Sequence, residues 1–336
     1  MPNKRRFDAL RRNIVIAAAL PLAIGVVGAG LAWADPVEIR MGAGPASDEQ
    51  LWLMKIRPDL TPHQGKDYSY KLVMFRSSND RLRAFEAGQL DAGSSSTTGI
   101  LFGASNGVNL VVVANQAQES AKTFSTSYFA LADSDVSLQN LKGKTIGING
   151  FRSSLEGYAR FAVMKAGLNP DRDVKWLVVP LSQMGTALRS KKVDLGVFPT
   201  LFAKRESMDG GVKRVFTSAG ISGIEEEVDV YFNPDFVAKH RKAVQAWASD
   251  FVNTARYLND HQKEARESIL KSKIILIDPK IYLAMSADDD LLRSRDAVPD
   301  VNMFGKLQDM LLQMKFIDKP LDVTKLVDAS LLPNSK

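Results

Sequence analysis

The sequence contains no cysteine and only three histidines in 336 residues. The absence of cysteine excludes disulfide bonds, thiolate nucleophiles and cysteine-ligated metal sites. The histidines, His63, His240 and His261, are far apart and do not have the spacing of metal ligands. The chain also lacks a nucleophile elbow, a Walker loop, a zinc-protease helix motif and a complete dinucleotide-binding glycine pattern. We therefore expect a protein that is not an enzyme and that uses neither a cofactor nor a metal.

Two acidic runs, Glu225-Glu-Glu227 and Asp288-Asp-Asp290, contain the paired carboxylates from which acid–base catalysis can be built. A solvated turn or helix start is the simpler interpretation of each run. Catalysis by a group of residues that no motif reveals stays open as the less favoured alternative. Turnover of a panel of anionic substrates would reveal it.

The net charge of +6 does not indicate nucleic-acid binding. Residues 1–34 contain one acidic residue, Asp8, and five basic residues, so they account for +4 of this charge. The remainder of the chain carries only +2, and we expect no nucleic-acid partner. The five basic residues are Lys4, Arg5, Arg6, Arg11 and Arg12.

The first 34 residues have the organisation of a secretory signal peptide. Their basic start precedes an apolar run from Ile14 to Leu31, and Ala32-Trp33-Ala34 then supplies a small-residue cleavage motif. An uncleaved membrane anchor is the alternative, but Pro21 and three glycines in the run argue against it. We expect cleavage after Ala34. An exported protein of this size without disulfides is expected in the bacterial periplasm.

A phrase that occurs twice indicates two similar lobes. Ala84-Phe-Glu-Ala-Gly-Gln-Leu-Asp-Ala-Gly93 returns as Ala187-Leu-Arg-Ser-Lys-Lys-Val-Asp-Leu-Gly196, with an offset of 103 residues. This period is too long for a solenoid repeat. Strand-like segments alternate with helical ones around both copies, which predicts an α/β fold with mainly parallel sheets.

The order of the predicted elements also suggests where the lobes divide. We expect a discontinuous first lobe, residues 35–126 plus 230–336, that encloses a second lobe, residues 127–229. The chain would cross between the lobes near 127–131 and 227–231, and these two crossings would form a hinge.

Four phrases make the chain resemble a known family, and they follow in order along most of it: Ala84–Gly93, Leu138–Gly147, Lys165–Leu168 followed by Asp173-Val174, and Ala187–Asp194. The chain resembles the periplasmic substrate-binding proteins of ABC importers, in the group that serves sulfonates, taurine, nitrate and thiamine precursors. The resemblance implies a type II periplasmic binding protein fold with strand order 2-1-3-n-4 in each lobe. It also implies hinge closure on a small ligand and delivery to an ABC importer permease in the inner membrane.

Two other kinds of binding protein would have similar lobes. A receptor subunit of a TRAP-type importer and a ligand-sensing protein both stay open as alternatives. An ATPase and permease pair among the neighbouring genes would favour the ABC importer. A two-component membrane channel or a kinase would favour the others.

Loops rich in hydroxyl groups indicate where a ligand binds. In open α/β sheets, ligands bind beyond the carboxyl ends of the strands, where helix N-termini present backbone N–H groups. Here these loops lie in both predicted lobes, so we expect a small organic anion, a sulfonate or carboxylate with an aliphatic or aromatic body. Each serine is equally explained as a helix cap. The predicted ligand-binding residues are Ser47, Arg76, Ser77, Ser78, Ser95, Ser96, Thr97, Gln116, Phe151, Arg152, Ser153, Ser154, Gln183 and Phe198.

Four of these residues have more specific expected roles. Arg152, and with it Arg76, would make a bidentate contact with the anionic group. Phe151 and Phe198 would form an apolar wall for the ligand body, although Phe198 is equally consistent with the core. A solvated arginine is the alternative for Arg152.

We expect the protein to act as a monomer.

Overall fold

The computed structural model describes residues 35–333. The predicted signal peptide and its cleavage site after Ala34 lie outside these residues. Within 35–333, no helix is long and apolar enough to cross a membrane. Strands alternate with helices through most of this range, so the predicted α/β class is confirmed.

Ten strands lie within residues 35–333. In chain order they are β1 (Val37–Ala43), β2 (Tyr68–Met74), β3 (Ala92–Ser96), β4 (Val111–Gln118), β5 (Ser127–Leu131), β6 (Thr145–Ile148), β7 (Lys175–Val178), β8 (Leu195–Phe198), β9 (Val212–Thr217) and β10 (Glu227–Phe232).

Helices connect most of these strands, and several helices follow β10. They are α1 (Glu49–Ile56), α2 (Ser78–Glu86), α3 (Thr97–Ser105), α4 (Ser154–Lys165), α5 (Leu181–Arg189), α6 (Thr200–Asp209), α7 (Ser218–Ser222), α8 (Pro234–Lys239), α9 (Arg241–Asp260), α10 (Gln262–Ser272), α11 (Pro279–Leu283) and α12 (Val301–Gln313).

The strands form two five-stranded sheets of the same topology. The first sheet has the order β2-β1-β3-β10-β4, and the second has the order β7-β6-β8-β5-β9. Both orders are 2-1-3-n-4, as the resemblance implies. β10 and β5 run antiparallel to both of their neighbours, so each sheet is mixed. The other four strands of each sheet share one direction.

The repeated phrase makes the same joint in both sheets. The Asp91 carboxylate accepts a hydrogen bond from the Arg40 backbone N–H at 2.8 Å, and the Asp194 carboxylate accepts one from the Thr145 N–H at 2.7 Å. Each aspartate thus joins the start of the third strand to the first strand of its sheet. In each sheet, a glycine of the third strand then lies opposite a glycine of the first strand. The repeat is therefore structural at these positions.

Two segments carry the chain between the sheets, residues 119–126 and 218–226. They are joined by hydrogen bonds of 2.9 Å from the Glu119 N–H to the Glu226 carbonyl and from the Ser218 N–H to the Thr126 carbonyl. The predicted crossings at 127–131 and 227–231 are wrong by several residues, because these ranges are β5 and most of β10, inside the sheets. The predicted lobe boundaries stay a prediction.

A long helix buries one face of the first sheet. Val244, Trp247 and Phe251 of α9 are fully buried, and the Trp247 ring lies 4.9 Å from that of Phe232 in β10. Their helical spacing in the sequence predicts this buried stripe.

Candidate functional site

A cavity of about 130 Å³ lies between the two sheets, where the loops that follow the strands of both sheets meet. Helix N-termini surround it, which is the expected position for a ligand in an α/β protein. Its walls include half of the predicted ligand-binding residues. These are Ser47, Arg76, Ser77, Ser78, Ser96, Ser153 and Ser154.

Three cavity serines also cap helices. Ser77, Ser96 and Ser153 accept hydrogen bonds of 3.2 to 3.3 Å from backbone N–H groups in the first turns of α2, α3 and α4. A serine at these positions can therefore cap a helix and also lie at the ligand cavity. Capping fixes each hydroxyl at the positive end of a helix, which favours an acidic ligand group nearby.

The loop after β1 is held from behind by buried side chains. The Gln116 amide donates to the Ser47 carbonyl at 2.6 Å and also to the Asp48 carboxylate. The Trp52 indole donates to the Gly44 carbonyl at 3.2 Å. Ser47 has a φ of 66°, a strained conformation for this residue. Gln116 thus positions the loop and is not among the residues that line the cavity.

Arg81 is a buried cation in the cavity wall that the sequence analysis did not identify. It lies in α2 and is only 4% exposed, yet its Nε has no hydrogen-bond partner. Its Nη1 lies 3.8 Å from the Asp48 carboxylate, and its Nη2 lies 3.5 Å from the Ser78 hydroxyl. The buried Tyr231 hydroxyl is a further polar neighbour of the guanidinium. The contacts with Asp48 and Ser78 are long for charge-assisted hydrogen bonds, so the guanidinium is only partly satisfied.

Glycines make room for this arginine. A Cβ added at Gly42 would lie 2.7 Å from the Arg81 stem, and one added at Gly44 would lie 3.0 Å from its guanidinium. By the repeat offset of 103 residues, Arg81 corresponds to Met184 of α5. Met184 is fully buried and covers Gly147 in the same way. An arginine thus stands where the second lobe has an ordinary core residue.

Three predicted site residues lie away from this cavity, inside the protein. Ser95 is fully buried, and the Thr97 hydroxyl donates to the Asp229 carboxylate at 2.7 Å. Phe198 is fully buried against Phe129, with ring centroids 5.5 Å apart. Their expected contact with a ligand stays a prediction, but the geometry favours the core alternative for Phe198.

Phe151 and Arg152 lie outside the cavity walls. The Arg152 guanidinium stacks on two rings, 5.2 Å from Phe102 and 5.4 Å from Phe316. The Phe151 carbonyl accepts a hydrogen bond from the Asn79 side chain. Both residues thus connect the loop before α4 to elements packed on the first sheet. Their expected role in ligand contact stays a prediction.

A second, larger chamber of about 750 Å³ continues from the cavity. Pro45, Arg76, Ser77, Asn149 and Leu181 line both spaces. The walls of this outer chamber are mainly apolar and come from both sheets and from the loop between α10 and α11. Its further lining residues include Met74, Val178, Gln183, Leu201, Phe202, Ile274, Ile275, Leu276, Ile277 and Ile281.

The first acidic run was expected to be a solvated turn or helix start. For two of its three residues this expectation is wrong. Glu226 and Glu227 are 5% and 3% exposed and line the cavity together with Glu119. Burial, with the nearby Glu119 carboxylate as a smaller cause, raises the pKa of Glu226 to about 8. Burial likewise raises the pKa of Glu227 to about 7 and that of Glu119 above its ordinary value.

The second acidic run contributes to a buried ion cluster near the cavity. The Arg293 guanidinium lies 2.7 Å from the Glu49 carboxylate and 3.0 Å from that of Asp290. Arg266 also pairs with Asp290 at 3.0 Å. Asp290 is therefore buried, which corrects the expectation of a solvated run. The cluster fixes the segment that contains Leu291, a cavity residue, against α1.

Comparison with known protein families identifies the chain. The profile of the NMT1-like family matches residues 33–274, which is more than half of the sequence. The chain belongs to the NMT1-like family. A search of curated proteins found no match to the chain.

Solved structures with the same fold come from several import systems. The NMT1-like chain superposes on a zinc-bound ligand-binding component of an ABC-type import system from Staphylococcus aureus with a TM-score of 0.72, at 15% identity over 88% of this chain and 97% of that one. It superposes on the alkanesulfonate-binding protein SsuA from Xanthomonas axonopodis pv. citri, bound to MOPS, with a TM-score of 0.69, at 17% identity over 88% and 99%.

A third structure extends the comparison to nitrate. The periplasmic nitrate-binding protein NrtA from Synechocystis PCC 6803 gives a TM-score of 0.69, at 10% identity over 88% of this chain and 87% of that one. At these identities the likeness shows the fold alone. The type II periplasmic binding protein fold is therefore confirmed for this NMT1-like protein, and so is its resemblance to the ABC-importer group.

The buried glutamates make a prediction about the pH dependence of this NMT1-like protein. The pKa of Glu226 is about 8 in the folded protein, above its ordinary value of 4.5, so the folded state holds more protons between these values. The free energy of unfolding should therefore fall as the pH rises from about 5 to about 8. Thermal unfolding across this range should show a falling melting temperature. Glu226→Gln should flatten the fall, and an unchanged slope would contradict this assignment.

Proposed function

We propose that the protein is an extracytoplasmic solute-binding protein of an ABC importer. It captures a small organic anion, a sulfonate or carboxylate with an aliphatic or aromatic body, in the cavity between its lobes. It then delivers this solute from the periplasm to a permease in the inner membrane. The under-satisfied Arg81 guanidinium in the cavity wall is the observation that carries the proposal.

Arg81 supports an acidic ligand because a buried cation needs a counter-charge. Asp48 supplies a negative charge, but at 3.8 Å it is too far from Arg81 for a hydrogen bond, and its oxygens instead accept from the Gly44 N–H and the Gln116 amide. The guanidinium of Arg81, which lines the cavity, can donate a hydrogen bond to one oxygen of a sulfonate or carboxylate. Ser78 and Ser154, the first residues of α2 and α4, lie in the same cavity and can donate to its other oxygens.

The sizes of the two spaces suggest how such a solute would lie. The cavity of about 130 Å³ fits a polar head group, while the chamber of about 750 Å³ has room for an apolar body. Arg76 lines both spaces and lies where the head and body would join. The solute would thus contact residues around both sheets.

Contact with both lobes explains why a ligand would favour a closed form. A ligand shifts such an equilibrium only through contacts that differ between the states. Here Arg81 and Ser77 belong to elements of the first sheet, whereas Ser153 and Thr200 begin helices packed on the second. Only a closed arrangement brings all four to one solute, and the closed form would then be the one that a permease recognises.

A thermal-shift screen of the protein from Asp35 onward tests the proposal. The panel consists of alkanesulfonates, arenesulfonates, and aliphatic and aromatic carboxylates. We expect one class to raise the melting temperature in a dose-dependent way, because a ligand at a hundred times its Kd stabilises the folded state by about 2.7 kcal/mol. Small-angle scattering should show compaction with the same solute. No shift, no compaction and no small molecule released on denaturation would together reject the proposal.

A further inference from the structure

The loop before α4, which belongs to the second sheet, contacts elements packed on the first sheet. The Asn79 side chain, in α2, donates a hydrogen bond to the Phe151 carbonyl. The Arg152 guanidinium stacks on Phe102 of α3 and on Phe316, which follows α12. Because α12 itself packs on α3, both rings belong to the first-sheet side. These contacts therefore join the two lobes directly.

The backbone of Arg152 indicates that these contacts determine the shape of the loop. Its φ of 61° lies in the left-handed region, which is unfavourable for a residue other than glycine. Such a conformation persists only where the surrounding structure holds it. Nearby, a Cβ added at Gly157 of α4 would lie 3.9 Å from both Met314 and Phe316, so the helix also approaches the first-sheet side closely.

An ion pair joins the lobes at a second place. The Lys204 ammonium, in α6 of the second sheet, lies 2.8 Å from the Asp289 carboxylate, and both side chains are partly buried. Asp289 is held in position by the N–H and the hydroxyl of Ser286, at 2.9 and 2.8 Å. The next residue, Asp290, belongs to the ion cluster that fixes its segment against α1. The pair thus ties α6 to an anchored part of the first lobe.

These residues act outside the ligand site. Among the described residues that line the cavity or the outer chamber, none belongs to the Arg152 stack or to the Lys204–Asp289 pair. Contacts that exist only while the lobes are close together stabilise the closed arrangement without touching a solute. The apparent affinity for a solute increases with the fraction of the free protein that is already closed.

We infer that the Arg152 stack and the Lys204–Asp289 ion pair form an interlobe latch, which holds part of the protein closed before a solute binds. Arg152 and Lys204 are then positioning residues, which change the affinity for a solute only through closure. This role for Arg152 differs from the ligand contact that the sequence predicts. The inference concerns the closing motion of the proposed function, but the latch belongs to the protein alone and is tested without a solute.

A distance measurement between the lobes tests the latch. Because the chain has no cysteine, two introduced cysteines can be spin-labelled selectively in the protein from Asp35 onward. Gln89→Cys and Lys192→Cys are suitable, since both positions are exposed and correspond by the repeat offset of 103 residues. Double electron–electron resonance should show a short and a long distance in the free protein. Arg152→Gln combined with Lys204→Met should shift the population to the long distance.

A matched double variant provides the control. Lys144 pairs with Asp135 at 2.7 Å and has nearly the same exposure as Lys204, but both partners lie on the second-sheet side. Arg214 stacks on Phe129 at 5.6 Å, also within the second sheet. Arg214→Gln combined with Lys144→Met should therefore leave the distances unchanged. Each single latch variant should give an intermediate shift, so the test does not depend on the folding of the double variant.

The outcomes of this measurement do not depend on the proposed function. Only the long distance in the unaltered free protein, or the same distribution in the latch variants, would overturn the inference and leave solute binding intact. If the solute screen instead finds no ligand, the proposed function fails while the distances still test the latch.

The pattern of affinities distinguishes a latch from a ligand contact. For solutes that the screen identifies, the double latch variant should raise the Kd roughly fivefold and by the same factor for each, because it changes only the closed fraction. Isothermal titration calorimetry with at least two solutes of different length measures this factor. A loss confined to one solute would make Arg152 or Lys204 a ligand contact and overturn the inference.

Discussion

Arg81→Met is expected to abolish solute binding while the protein stays folded. Methionine is a suitable replacement, because Met184 occupies the corresponding position of the second lobe and covers its glycine in the same way. The remaining Asp48 carboxylate keeps its hydrogen bonds to Gly44 and Gln116. Loss of a buried charged contact to an anion costs about 3 kcal/mol, which corresponds to a rise in Kd of roughly 100-fold or more.

Isothermal titration calorimetry with the solute that gives the largest thermal shift measures this effect. Arg83→Met is the matched control, since Arg83 lies two residues further along α2, is exposed and pairs with Asp80 at the surface. This control should bind as tightly as the unaltered protein. If Arg81→Met also binds normally, Arg81 does not hold the acidic group, and the central observation behind the proposed function is lost.

Arg293→Met is expected to cause a large loss of stability. Arg293 neutralises two buried carboxylates, Glu49 and Asp290, and burial already raises the pKa of Glu49. Removing the cation leaves both acids together without their main counter-charge, although Asp290 keeps Arg266. Breaking a buried pair in this way costs about 3–5 kcal/mol. The urea midpoint of unfolding should fall accordingly.

Arg295→Met provides the control for this substitution. Arg295 pairs with Asp260 at 2.5 Å, but both side chains are about half exposed, and solvated ion pairs contribute little to stability. The control should unfold at nearly the same urea concentration as the unaltered protein. A fall of similar size in both variants would mean that the cluster gives no more stability than a surface pair.

Much of the fold could be predicted from local patterns. The repeated phrase around Asp91 and Asp194 marks equivalent joints in the two sheets. The phrase itself is local, although each aspartate bonds to a strand 51 or 49 residues earlier. The apolar run in the first half of β4 and the helical spacing in α9 are equally local signals. The order of the strands came from the family resemblance, because pairing between distant strands leaves little trace in a single sequence.

The site was less predictable, because burial in a cavity depends on how two sheets meet. Glu226 and Glu227 were interpreted as part of a solvated turn, and nothing in their immediate neighbours indicates otherwise. Arg152 directly precedes the N-cap residue of a helix, as Arg76 does, yet it stacks on Phe316 from a distant part of the chain. Loop serines were a better guide, since a helix cap must lie at the helix N-terminus wherever the sheets pack.

Arg81 did have a signal in the sequence. Extending the repeat alignment from Ala84 and Ala187 by three residues places Arg81 opposite Met184. A charge at a position where the other copy has a buried apolar residue conflicts with a purely structural role. Differences between two copies can thus be more informative about function than the features that they share.

The distribution of charge in the cavity suggests the order of capture and release. Arg76, Arg81 and the glutamates all lie on the first lobe or on the connecting segments, whereas the second lobe contributes uncharged groups such as Asn149, Ser153 and Thr200. In the proposed mechanism an incoming solute would dock on the first lobe alone, and the second lobe would then cover it. Within the cavity, opening would break only hydrogen bonds to uncharged groups of the second lobe. Outside the cavity it would also break the ion pair of 2.8 Å between Lys204 of α6 and Asp289. Exchange of first-lobe residues would then alter selectivity, while exchange of second-lobe residues would alter the residence time of the solute.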